Sequence, residues 1–214
     1  MSVTKPVVYD GGFQRSVAQG DLLGANEVVA TLTTAGAGAL TGVLLASNIL
    51  SRTGPAGAVA DTLDTPANII SAVKGPTSNS PNAGDTWRLR YINNVAFAIT
   101  VTGVTGATVT NGVVNASSVK EFLVTLVNAT PLRNAVATTT NASKTVTGMT
   151  QADTDNITTG MLVTGTGITG GTKVAAVVPS SGVLLDTNAI ASTVGVVLTF
   201  SPVVTVLGLG QGLL

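Results

Sequence analysis

The sequence predicts an all-β protein: an antiparallel β-sandwich or barrel with an inserted small β module and an extended N-terminal arm. Three observations carry that expectation. From Asn26 onward, short β-branched runs are separated by Gly, Asn, Ser and Pro, the texture of sandwiches and barrels. The clearest runs alternate apolar and polar residues with the strand period of two. Helical periodicity is confined to one short stretch. A chain of 214 residues accommodates one large β domain or two small ones.

Residues 1–25 carry Lys5, Asp10, Arg15 and Asp21 around Gly11, Gly12 and Gly20, and hold no sustained period. They read as an arm, either a loose terminus or a segment that orders against a neighbouring subunit. Residues 1–10 contain a Lys and a Pro but no apolar run, so no secretory leader is expected. Residues 28–51 lack charge over a bilayer-spanning length. Thr31, Thr33, Thr34, Thr41, Ser47 and Asn48 interrupt them, however, and neither a basic cluster nor an aromatic belt flanks them, so no membrane span is expected. The G-x-x-x-G formed by Gly38 and Gly42 is a weak signal in a chain with 25 glycines.

A helix is expected over residues 66–73, with Asp64 or Thr65 as N-cap, Pro66 in the first position and Gly75 beyond its end. Residues 76–84 form a polar loop containing Pro76 and Pro81. In the strand over 86–92, Trp87, Leu89 and Tyr91 point one way while Thr86, Arg88 and Arg90 point the other. Asn93 and Asn94 then suggest a tight hairpin into a strand bearing Phe97, Ile99 and Val101. Phe122, Val124 and Leu126 repeat the alternation. Trp87, Tyr91, Phe97 and Phe122 therefore mark the expected core. Residues 135–201 change texture: Thr-rich, without aromatics until Phe200, with short apolar runs at 161–163, 174–178, 183–185 and 194–200. A strand at 203–207 resumes the earlier style. The expected domains are thus an arm over 1–25, a first β domain over 26–134 with 202–214, and an inserted module over 135–201.

Only 9% of residues are charged and 3% aromatic, with ten basic residues balancing ten acidic ones, against about a quarter charged in ordinary domains. The chain has no His and no Cys, which removes imidazole bases, thiol nucleophiles and the common zinc and iron–sulfur ligand sets. No cofactor is expected. Scattered basic residues give no footprint for nucleic acid.

The remaining motifs each have a plainer reading. Residues 165–170 satisfy G-x-G-x-x-G and Asp186 lies near the spacing of a ribose-binding acid, but β-branched Thr172, Val174, Val177 and Val178 favour a turn into a strand over a dinucleotide-binding helix. Asp153, Asp155 and Asn156 gather oxygen donors without EF-hand spacing, as in a solvated turn. Asp61 and Asp64 suit a two-carboxylate glycosidase on paper, but turn and capping roles account for both. Arg88 and Arg90, on the polar face of their strand, are candidates for a subunit contact through bidentate pairing with carboxylates, or for edge protection.

The segments Arg52-Thr53-Gly54-Pro55, Asp61-Thr62, Asp64-Thr65, Ala67-Asn68-Ile69-Ile70, Gly84-Asp85-Thr86-Trp87-Arg88-Leu89-Arg90-Tyr91-Ile92-Asn93 and Glu121-Phe122 resemble tailed-bacteriophage virion proteins of the jelly-roll type that decorate or cement capsids as trimers. The resemblance spans roughly residues 26–130 and implies a jelly-roll-like antiparallel β-sandwich for the domain over 26–134 with 202–214. Met161 through Ile168, Gly171 through Val174, Leu184-Leu185 and Leu198-Thr199-Phe200 are similar to a β module recurrent in phage tail, fibre and decoration proteins. These resemblances imply a non-enzymatic virion protein, made in the host cytoplasm and released with the particle, whose partners are the major capsid protein and two further copies of itself. The alternative they leave open is a tail or fibre component that binds a host receptor; a third is a small glycan-binding or glycan-active module.

Overall fold

The computed structural model describes residues 7–10, 13–16, 29–73 and 81–214. Within these the chain is all-β, with three short helices. It divides into two compact units, Met1–Leu126 with Val204–Leu214, and Val127–Val203. In the segment expected to be an extended arm, β1 (Val7–Asp10) and β2 (Phe13–Ser16) pair antiparallel; the rest of that segment, like Gly75 and most of the loop after it, lies outside the described residues.

The first unit is a two-sheet sandwich whose chain crosses between sheets after almost every strand. In chain order come β3 (Val29–Leu32), β4 (Ala39–Leu40), α1 (Gly42–Ala46), β5 (Ile49–Arg52), β6 (Val59–Leu63), α2 (Pro66–Val73), β7 (Thr86–Asn93) and β8 (Ile99–Thr102). They are followed by β9 (Ala107–Thr110), β10 (Val113–Val114), β11 (Ser118–Asn128) and, after the second unit, β18 (Val203–Leu213). One sheet has the order β10-β8-β6-β4, the other β3-β5-β7-β11-β18-β9.

Strand direction departs from the antiparallel expectation. β3–β5, β5–β7, β4–β6, β6–β8 and β9–β18 are all parallel, while β7–β11 and β8–β10 are antiparallel. For the first four of these pairs the cause is the winding: the chain visits the opposite sheet between the two strands and re-enters in the same direction, the intervening strand serving as the long crossover that parallel neighbours need. The expected hairpin at Asn93 and Asn94 is likewise a corner between sheets, since β7 and β8 belong to different ones. Asn93 is fully buried there. Its amide donates to Phe97 O and Asn115 O, both at 2.8 Å, and so closes the corner. Phe97 is correspondingly outside the core, 42% exposed.

The expected parity of β7 and β11 places Leu89, Tyr91, Phe122, Val124 and Leu126 between the sheets, all buried, with Tyr91 and Phe122 packed edge to face. Trp87 is only partly buried, and its indole N–H reaches Leu45 O at 2.7 Å. The helix α2 forms as its sequence suggests, with Thr65 Oγ1 accepting from Asn68 N. The uncharged stretch 28–51 is divided among β3, β4, α1 and β5. No helix among the described residues is long and apolar enough to cross a membrane.

In the second unit, β12 (Arg133–Thr139), β17 (Thr193–Ser201) and β14 (Leu162–Thr164) form one sheet. A second consists of β13 (Thr145–Val146), β16 (Gly182–Leu185) and β15 (Val174–Val178). Met161, Val163, Val183, Leu198 and Phe200 form its buried centre. The short helix α3 (Gln151–Thr154) starts with a capping box in which Thr150 and Asp153 bond reciprocally.

β11 and β18 are neighbours in the six-stranded sheet. Leu214, at the end of β18, donates to Ser117 O beside the start of β11, so the two strands run in opposite directions. The chain therefore leaves the first unit from one strand and returns on its neighbour.

Candidate functional site

Three charged side chains occupy inward positions of the first sandwich, where strand alternation would place apolar residues. Arg52 shares the core parity of Leu50 on β5, Asp61 that of Leu63 on β6, and Lys120 that of Phe122 on β11. Arg52 and Asp61 are both fully buried and form a two-point ion pair: Arg52 Nε to Asp61 Oδ2 at 2.8 Å and Nη2 to Oδ1 at 3.1 Å. The rest of the guanidinium donates to carbonyls. Nη1 serves Thr34 O at 2.6 Å, Thr53 O at 3.0 Å and Leu32 O at 3.2 Å, and Nη2 serves Gly36 O at 2.6 Å. Asp61 also accepts from Tyr91 Oη at 2.6 Å and Gly38 N at 2.7 Å.

This network joins the two sheets and fixes the loop between β3 and β4. Five guanidinium donors in a rigid fork are what such a loop of inward-facing carbonyls requires. Gly54, next but one after Arg52, has φ +107°, and a Cβ there would lie 2.2 Å from Thr33 O, so the Arg-Thr-Gly-Pro segment needs its glycine to approach the same loop. Burial first, and then the bond to Asp61, push the Tyr91 hydroxyl far above its ordinary 10.0. It is a donor held in place and a poor nucleophile.

Asp61 is therefore an anchor for Arg52, in place of the turn or capping role expected of it. Asp64 does act as a cap. It accepts from Gly42 N at 3.0 Å, Thr65 N at 2.8 Å and Asn68 Nδ2 at 2.8 Å. Burial alone would raise its pKa, but these bonds outweigh it and hold the carboxyl below 3.8. The shallow groove between α1 and α2 has Asp64 on its wall, with both oxygens already bonded.

Lys120 is 3% exposed and donates to Val113 O at 2.7 Å and Asn111 Oδ1 at 3.1 Å. Burial pulls its pKa below 10.5. Ser118, two residues earlier on the same face, donates to Asn115 O instead, so the two do not form a Ser–Lys dyad.

Arg88 and Arg90 project from the outer face of β7. Glu121, opposite Arg90 across the β7–β11 ladder, meets Arg88 at 3.2 Å and Arg90 at 4.0 Å. A pair of exposed guanidiniums thus shares a single carboxylate of its own chain.

In the second unit, residues 165–170 form turns between β14 and β15, with no helix opening behind them. Asp153 caps α3 and pairs with Arg133 at 2.7 Å; the Thr150 side chain and Arg133 hold its carboxyl below 3.8. Asp155 accepts from Gln151 and Asn156 donates to Ala152 O. Among the described residues no three His, Cys, Asp or Glu side chains converge as a metal site.

The outward face of the β12–β17 pair is uncharged. Val136 and Val197 are direct partners across the ladder, each 56% exposed. Asn134 and Thr199 beside them share a hydrogen bond of 2.8 Å. Strand parity would have shown Arg52, Asp61 and Lys120 as inward charges; what it lacks is the pairing between sheets that joins the first two. No protein-family model, no curated protein and no solved structure matches the chain.

Proposed function

We propose that the protein is a non-enzymatic structural component of a tailed-bacteriophage particle, decorating or cementing the capsid as a homotrimer bound to the major capsid protein. The observation that carries this reading is the disposition of charge. Ionisable side chains with organised partners serve to close loops, cap helices and pair across a ladder, while an uncharged face bearing Val136, Val197 and Thr199 on β12–β17 stays at the surface. Covering such a face removes apolar area from water without desolvating an ion, which suits contacts that must survive changes of salt. The resemblance of residues 26–130 to capsid-decorating proteins points the same way. In this reading Arg88 and Arg90, sharing one carboxylate, reach a carboxylate on the adjoining subunit.

Sedimentation of the purified chain, with particles assembled with and without it, tests the proposal. A trimer that persists in high salt, and particles that lose heat resistance when the chain is omitted, are expected. A stable monomer at micromolar concentration together with unchanged capsid stability would overturn it. Copy number separates decoration from a tail or fibre role: a lattice-wide count supports the former, a handful per particle the latter.

A further inference from the structure

Lys120 is a buried cation with no carboxylate partner among the described residues. Arg52 has Asp61; Lys120 has the neutral oxygens of Asn111 and Val113 and the Phe122 ring, 5.8 Å from its Nζ. Glu121, adjacent in sequence, points to the opposite face and pairs with Arg88. Burying an ammonium without a counter-charge costs stability, and the lowered pKa of Lys120 is the same cost expressed as proton affinity.

Asn111 begins the one Asn–Gly dipeptide of the sequence. It is exposed, with φ 56°. Its amide is held from both ends, Oδ1 on Lys120 Nζ at 3.1 Å and Nδ2 on Gly208 O at 3.0 Å. Gly208 makes the arrangement sterically feasible, since a Cβ there would lie 2.1 Å from Asn111 O and 2.6 Å from Lys120 Cε. Gly112 has no side chain to shield the Asn111 amide carbon from its own backbone nitrogen, and it cannot readily acquire one: a Cβ would lie 2.2 Å from Val101 O.

We propose that Asn111 is a self-modification site, converted to a carboxylate that neutralises Lys120. The Gly112 nitrogen attacks Asn111 Cγ; the Cγ–Nδ2 bond breaks, and the side-chain nitrogen departs as ammonia with the proton from Gly112. Solvent water opens the resulting succinimide, leaving an aspartyl or isoaspartyl carboxylate. No oxidant or reductant is required. Lys120 donates to Oδ1, the oxygen that carries negative charge in the tetrahedral intermediate, so it stabilises the step electrostatically. The product gains an ion pair where the amide offered a neutral acceptor.

The test is peptide mapping of the folded, full-length chain during incubation at neutral pH, alongside Lys120→Met and Asn111→Asp variants. Asn111 is expected to convert from amide to acid ahead of every other Asn, and several-fold more slowly in Lys120→Met. Asn111→Asp is expected to raise the thermal midpoint by about 2 to 4 °C, and not to do so when combined with Lys120→Met. Should Lys120→Met fail to fold, the Asn111→Asp midpoint decides alone. Retention of the Asn111 amide while other sites convert, or a lower midpoint in Asn111→Asp, would overturn the proposal. So would a chain lighter by one ammonia with residues 111 and 120 joined, which would assign the attack to Lys120 itself.

Discussion

Replacing Asp61 with Ala should be among the most damaging single changes to the first sandwich. Asp61 accepts four bonds: two from Arg52, one from Tyr91 Oη and one from Gly38 N. Their removal strands a guanidinium that is fully buried, and breaking such a pair from one side costs about 3 to 5 kcal/mol. Counting about 1 to 3 kcal/mol for each of the orphaned donors gives a larger sum, which inflow of water at the β3–β4 loop would reduce toward the same range. Trp87, the only Trp of the chain, lies on β7, the strand that carries Tyr91, so its fluorescence in urea reports this unit directly. With a slope of about 2 kcal/mol/M the midpoint should fall by about 2 M. The double variant Arg52→Met, Asp61→Leu should recover only part of the loss, because the carbonyls of Leu32, Thr34, Gly36 and Thr53 lose their donor. A loss below about 1 kcal/mol in Asp61→Ala, the scale of a surface substitution, would refute the assignment of this pair as the closure of the sandwich.

Phe122→Ala should cost about 3 to 5 kcal/mol, whereas Phe97→Ala should stay within about 0.5 kcal/mol, in the same urea assay; equal losses would contradict the corner geometry at Asn93. Trp87→Ala, followed in urea by far-UV circular dichroism because it removes the fluorophore, should fall below the Phe122 value, as its ring is only partly buried; an equal or larger loss would place it in the core. Asp64 and Asp153 ionise more readily folded than unfolded, so the stability they add is complete above 3.8 and disappears as pH falls through their folded values. Replacing both with Asn should flatten the acid limb of the stability curve. Tyr91 binds its proton more tightly folded than unfolded, so stability should fall as pH rises through 10.0; Tyr91→Phe should abolish that component of the alkaline limb.

Much of the element pattern is legible in the residues, because alternation and caps are local. The strand over 86–92 becomes β7 extended by Asn93, and Pro66–Val73 is helical as its Thr65 cap and Pro66 suggest. Strand partners were not legible. An apolar–polar alternation specifies which side of a strand is buried but not the direction of its neighbour, so β3, β5 and β7 read the same whether parallel or antiparallel. Asn93 and Asn94 read as a turn because Asn tolerates tight loops, yet Asn93 is needed for its amide. The helices α1 and α3, five and four residues long, are too short to show a period. Arg52 stands in a recognisable local motif, while its partner Asp61 lies on the other sheet, a relation that no local pattern carries.

The position of β18 sets an order of assembly. It lies between β11 and β9, and among the described residues β9 has no other partner in its sheet, so β9 joins that sheet through the last strand. During synthesis the ribosome must first complete the whole of the second unit, Val127–Val203, while β11 waits with an open edge. Pairings such as β5–β7 and β6–β8 close over shorter stretches of chain and can form early; β9–β18 joins residues nearly a hundred positions apart and closes late. A chain stopped before Val203 would present two unfilled edges at once. Such nascent intermediates are the species most prone to mutual pairing, and their yield, more than the stability of the finished sandwich, should govern how much of the protein a cell accumulates.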